Sequence, residues 1–149
     1  MTIKMHEPIT ITPHFYQLGT PSFPAYLSLG EQGMIIEGGT GPTTDIIVKQ
    51  IETLGIDPQR ITSMALTHSH ADHIGAVAYL RPVWNHLKVL ASPVAAKTLS
   101  REEMAKEFLF IDRGIAEIMK AKGQITELPP VLDSYSFGVD TILREGDKK

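Results

Sequence analysis

The chain contains no cysteine. Disulfides, thiolate nucleophiles and Cys-ligated metals are excluded, which leaves His, Asp and Glu as the side chains able to hold a metal. A surplus of positive charge is also missing. Fourteen Lys and Arg stand against 17 Asp and Glu, a formal net charge of -3, so no cationic footprint favours nucleic acid or an anionic membrane surface. No apolar run is long enough to span a bilayer, and Met1 to Thr12 sets Lys4, His6, Glu7 and Pro8 where a signal peptide needs an apolar stretch. The expected partner is a small-molecule substrate and the expected location is the cytoplasm. Repeats and low-complexity tracts are absent too. What is present, 42% hydrophobic and 21% charged residues in 149, describes one compact globular domain or a piece of a larger one.

Local patterns order the elements. Ile9 to Leu18, broken at Pro13, reads as short extended segments, and Ala25 to Leu29 with Met34 to Ile36 flank Gly30-Glu-Gln-Gly33 as a hairpin. Glycines 38, 39 and 41 close that region. Thr43 or Thr44 then caps a helix with Ile47, Ile51 and Leu54 on its apolar face, ended by Gly55. Ile61 to Thr67 reads as a strand, Ile74 to Leu80 as a helix stopped by Pro82, and Leu87 to Ala91 as a further strand. Ser92-Pro93 starts a short helix, and Ser100 with Glu103 has the spacing of a capping box for a longer one ending near Gly123. Two or three short strands are expected between Ile125 and Leu143. The order is β-rich first, then βα units.

The chemistry is concentrated at one place. Residues 67 to 75 read Thr-His-Ser-His-Ala-Asp-His-Ile-Gly, so His68, His70, Asp72 and His73 fall within six positions at the exit of a strand. A strand delivering His68 into a tight loop, with Asp72 and His73 opening the next helix, can turn imidazole and carboxylate donors toward one point. Neutral imidazoles with a carboxylate suit zinc, and also iron or manganese. Without thiolates the set fits an open, catalytic site better than a sealed structural one. A polar turn in which Asp72 merely caps the helix is the structural alternative.

The segment Thr67 to Gly75 resembles the hallmark of the metallo-β-lactamase-fold superfamily, Thr-His-x-His-x-Asp-His-x-Gly. The upstream order of antiparallel strands, Gly-rich turn, helix ending before Gly55-Ile56-Asp57 and strand Ile61 to Leu66 is similar as well. The resemblance implies an α+β fold, the N-terminal half of a four-layer αββα sandwich with a mostly antiparallel or mixed sheet and helices on one face. It implies a dinuclear, zinc-dependent hydrolase acting on an ester, thioester, amide or phosphodiester. His68 and His70 would ligate one metal, and Asp72 and His73 the second. A bridging hydroxide would be the nucleophile, and Asp72 the catalytic residue that orients it.

The chain departs from that pattern in three ways. Glu37 stands where the family usually has an aspartate before the Gly-rich turn. No histidine follows His86, whereas the family completes its site from a second half. The length is short for the whole sandwich, so residues 1–149 are read as a single incomplete domain, a fragment or a half-domain needing a partner. An iron-dependent oxidoreductase of the same fold, or a non-catalytic assembly module, are the rival readings.

Other features have plainer readings. His6, His14 and His86 read as surface or packing residues, with His86 the one local source of a further imidazole. Met104, Phe108, Ile111, Ile115 and Ile118 recur along one face of the long helix, which reads as core packing or as a homodimer seam spanning Met104 to Ile118. Gly38-Gly39-Thr40-Gly41 lacks the lysine and spacing of a P-loop. Phe15, Tyr16, Phe23 and Tyr26 read as sheet packing, not as stacking platforms for bases.

Overall fold

A computed structural model describes residues 6–37, 39–67, 70–130 and 138–146, with only the backbone described at 71 and 72. Seven strands form one sheet in chain order: β1 (Ile9–Thr12), β2 (Phe15–Gly19), β3 (Pro24–Leu29), β4 (Gly33–Ile36), β5 (Ile61–Ala65), β6 (Lys88–Ala91) and β7 (Thr141–Ile142). The connections dictate the pairing. Tight turns join β1 to β4, which pair antiparallel, and helical crossovers carry β4 to β7, which pair parallel. Those crossovers hold α1 (Thr44–Thr53), then α2 (Ala71–Ile74) with α3 (Val77–Val83), then α4 (Pro93–Leu99) with α5 (Glu102–Ala121). The sheet is therefore mixed, as expected.

Alternation along the strands sorts the sheet into two faces. Leu18, Ala25, Leu27, Ile35, Met64 and Val89 share one face by register and join Ile47 and Ile51 of α1 and Val77 and Leu80 of α3 in a single core. The other face carries Phe15, Tyr26, Met34, Ile36 and Ala65, none of them in that core. Phe15 and Tyr26 stack there with ring centroids 5.8 Å apart. Helices thus cover one face. The buried Gln50 locks α1 to the end of β2, accepting from Gly19 N at 2.7 Å and donating to Gly19 O at 3.1 Å, which satisfies an amide that burial would otherwise penalise.

Several boundaries differ from the sequence expectation. Pro82 does not stop α3, which runs on to Val83; the helix begins only at Val77, so proline forfeits one bond in a last turn. Ser100 is not part of a capping box, because its hydroxyl donates to Lys97 O at 2.7 Å as α4 ends, and Glu103 pairs with Arg101 instead. Thr43 precedes α1 as expected, but its hydroxyl bonds back to Thr40 and closes the 3-10 turn Gly41–Thr43. The Ser92 cap holds, accepting from Ala95 N at 3.1 Å. Of the strands expected after Ile125, β7 is described and residues 131–137 lie outside the described residues.

The largest correction concerns α5. Its buried side chains are Phe108, Asp112, Ala116 and Met119, with Met104 packed against the core. Ile111 and Ile118, expected on the buried stripe, are exposed, and so is Phe110. The buried face is rotated by about one residue, and it includes a carboxylate.

Candidate metal centre

The site is built at the C-terminal ends of two neighbouring parallel strands, a place where backbone groups and loop side chains converge in open sheets. Ile36 pairs with Ala65, and beyond that last rung Glu37 N donates to Ala65 O at 2.9 Å. Glu37 and the segment after β5 are therefore adjacent, although about thirty positions separate them in the chain. Glu37 is buried, and among the described residues it is the one non-glycine with positive φ, at 84°. Such a backbone is unfavourable for a residue with a Cβ and persists where the surroundings hold it. Here the carboxylate does the holding: Thr67 Oγ1 donates to Oε1, and His73 Nδ1 pairs with Oε2.

The expected ligands can now be placed. His73 lies in α2 with its side chain 31% exposed. Its Nδ1 is engaged by Glu37, and a carboxylate behind a ligating imidazole both orients the ring and raises its basicity. His70 is exposed immediately before α2, and its carbonyl accepts from His73 N at 2.9 Å, so a single tight turn carries both imidazoles. The backbone of Asp72 is within α2. His68 and the Asp72 side chain lie outside the described residues, and among the described residues no three His, Asp or Glu side chains form a cluster able to hold an ion. The donor chemistry present, an imidazole seated on a carboxylate with a second histidine three residues before it, suits a divalent metal ion.

The remaining histidines are elsewhere. His86 Nε2 lies 3.0 Å from both Pro58 O and Ile61 O, at the start of β5 and thus at the opposite end of that strand from the motif. Both partners are acceptors, so this nitrogen carries the proton and pins a loop. His14 is exposed in the turn between β1 and β2. A cleft of about 630 Å³ beside the Gly41 turn is lined by Pro42, Lys49, Tyr79, Val83 and Leu128 among others, but not by Glu37, His70 or His73.

Sequence reasoning missed Asp112. It is 2% exposed in the middle of α5 and accepts from Gly41 N at 2.8 Å. Burial pushes its carboxyl up to about 6, against the opposing pull of the Gly41 N–H and of Arg113. Burial also raises the Tyr79 phenol, with a further contribution from the Asp112 charge. The one available signal was position: Asp112 falls four residues after Phe108 and four before Ala116, on the stripe that proves buried.

Comparison with known proteins agrees with this architecture. Residues 24–147 match the family model of the metallo-beta-lactamase superfamily. A motif mutant of the metallo-beta-lactamase from Cronobacter sakazakii is 25% identical with a TM-score of 0.66, over 95% of this chain and 49% of that one. The MIM-2 metallo-beta-lactamase is 23% identical with a TM-score of 0.67, over 97% of this chain and 47% of the other. MEM-A1, a subclass B3 metallo-beta-lactamase from a soil metagenome library, is 22% identical with a TM-score of 0.66, over 95% and 47%. The chain spans about half the length of these structures. With the family model covering most of its residues, the chain belongs to the metallo-beta-lactamase superfamily.

Proposed function

We propose that this chain carries the first ligand cluster of a metal-dependent hydrolase, with His68, His70, Asp72 and His73 as metal ligands and zinc, in a dinuclear site of the whole protein, as the resident metal. The observation that carries the reading is the Glu37 carboxylate seated on His73 Nδ1 where β4 and β5 end. A merely structural turn has no need of a buried acid held in a left-handed backbone to aim an imidazole. When bound, the metal acidifies water and polarises the scissile carbonyl or phosphoryl group. The chain's own residues do the rest. Glu37 fixes the tautomer and rotation of His73, Thr67 donates a hydrogen bond that holds the other Glu37 oxygen, and the turn from His70 to His73 keeps two imidazoles on one short arc. Asp72 orients the attacking water. The substrate is an ester, thioester, amide or phosphodiester.

The test uses the whole protein. Metal content after purification without added zinc, and hydrolysis of a panel with one chromogenic member of each bond class and a β-lactam, are measured for wild type and for Asp72→Ala. Zinc with turnover that falls roughly 10²–10⁴-fold in the variant is expected. Wild-type rates in Asp72→Ala overturn the mechanism, and iron with oxygen uptake would replace hydrolysis by oxidation.

A further inference from the structure

Among the described residues Asp112 is the one buried aspartate, 2% exposed. Apolar residues flank it on the buried side of α5, where Phe108, Ala116 and Met119 fill the remaining positions. Burying a carboxylate is costly, and an apolar side chain would fill the same volume without that cost. The acid must therefore provide something a hydrocarbon cannot, and what it provides is an acceptor for Gly41 N at 2.8 Å. That amide opens the 3-10 turn, where backbone donors lack intrahelical partners.

Two glycines show how tightly the carboxylate is seated. A Cβ on Gly41 would collide with Asp112 Oδ2 and approach Tyr79 Cε2 to 2.7 Å. One on Gly75, the last residue of the motif, would collide with Asp112 Oδ1 and come within 2.8 Å of Gly41 N and 2.9 Å of Thr40 Cα. Neither glycine has positive φ, so space and not backbone conformation requires them. Gly75 N also donates to Gly39 O at 2.9 Å. The Gly-rich turn and the motif turn are thus joined at two points, Glu37 to His73 and Gly39 to Gly75, and the Gly-rich turn is fastened to α5 at a third, Gly41 to Asp112.

We propose that Asp112 is a positioning residue of the metal site: from the middle of α5 its carboxylate fastens Gly41 and seats against Gly75, so that the long helix sets the spacing between the turn that follows Glu37 and the turn that carries His70 and His73. This rests on the reading of that turn as a metal centre. Asp112 touches no substrate and acts through the two turns.

The experiment compares the whole protein with its Asp112→Leu and Asp112→Asn variants. Circular dichroism reports folding, a Co²⁺ titration followed by visible absorption reports the metal site, and amide exchange of Gly41 and Gly75 in the metal-free protein reports the clamp. Folded Asp112→Leu is expected to lose roughly 10- to 100-fold in Co²⁺ affinity, the usual size of an outer-shell loss, and to exchange the Gly41 amide faster. Asparagine keeps the acceptor and is expected to restore both to within about threefold. Wild-type Co²⁺ affinity in folded Asp112→Leu overturns the proposal. If the leucine variant fails to fold, Asp112→Ala, which removes the acceptor without adding bulk, takes its place, and wild-type Co²⁺ affinity in that folded variant equally overturns the proposal. A wild-type protein that takes up no Co²⁺ defeats the metal-centre reading. The clamp is then judged by amide exchange, faster in leucine than in asparagine if it exists and unchanged if it does not.

Discussion

The two sides of α5 teach different things about the same helix. Its inner side is wedged against the Gly-rich turn and the motif turn, where Asp112 meets Gly41 and Gly75 with no room for a methyl group. Its outer side carries Phe110, 80% exposed, and Ile118, 57% exposed, with Gly114 between them, which has nothing within 4 Å of where a Cβ would stand. Apolar residues lie outside and a carboxylate lies inside. Phe108, Ala116 and Met119 make the buried side largely apolar, and Asp112 is the one charged group among them.

The comparison is broken most severely at Gly75. Alanine there meets backbone atoms of Thr40 and Gly41 as well as the Asp112 carboxylate, and backbone cannot swing aside as a flexible side chain can. Overpacking of this kind costs about 3 kcal/mol, which for a domain of this size lowers the melting temperature by roughly 10 °C. A melt of Gly75→Ala indistinguishable from wild type would show that the junction is loose.

The next effect belongs to Asp112 and has a definite sign. Its carboxyl titrates at about 6 in the folded chain, against an ordinary 3.8. Between those values the native state holds a proton that the unfolded chain has released. The stability this one group contributes is therefore greatest below about pH 4, falls as pH rises through 6 and is lost above it, a change of about 3 kcal/mol. The Gly41 N–H and the Arg113 charge pull against the rise of its pKa. Asparagine cannot titrate, so between pH 4 and 8 the wild-type urea midpoint should fall relative to that of Asp112→Asn, by the equivalent of about that amount. Parallel curves would mean that the carboxyl is not buried.

These two residues also mark where the sequence was legible and where it was not. Strands β1 to β6 and helices α1 and α4 follow from contiguous signals: alternation, the Gly30–Gly33 turn, Gly55, and the Ser92-Pro93 cap. The motif stands out as a pattern for the same reason, since its residues are neighbours in the chain. The Glu37 contact was only half legible. Its place before the Gly-rich turn could be read, but its partner depends on the parallel pairing of β4 with β5. Asp112 was not legible, because its partner Gly41 is 71 residues away and local periodicity assigns a charged side chain to water. The same blindness placed Ile111 and Ile118 in the core. Pro82 shows the converse, a local signal outweighed by a helix already near its end.

The smallest effect separates an open outer face from a covered one. Phe110, Gly114 and Ile118 follow one another at four-residue spacing and so lie on one stripe of α5. If that stripe faces water, replacing Gly114 by alanine removes backbone freedom from the unfolded chain and adds a methyl that meets nothing. The gain is about 0.5–1 kcal/mol. If instead a second copy or another segment packs there, as a seam between Met104 and Ile118 would require, the glycine is the point of close approach. The methyl must then displace its neighbour, and the substitution turns destabilising with a dependence on protein concentration. Melting temperatures of wild type and Gly114→Ala across a hundredfold range of concentration separate the two: a small uniform increase describes a bare helix face, and a concentration-dependent decrease describes an interface.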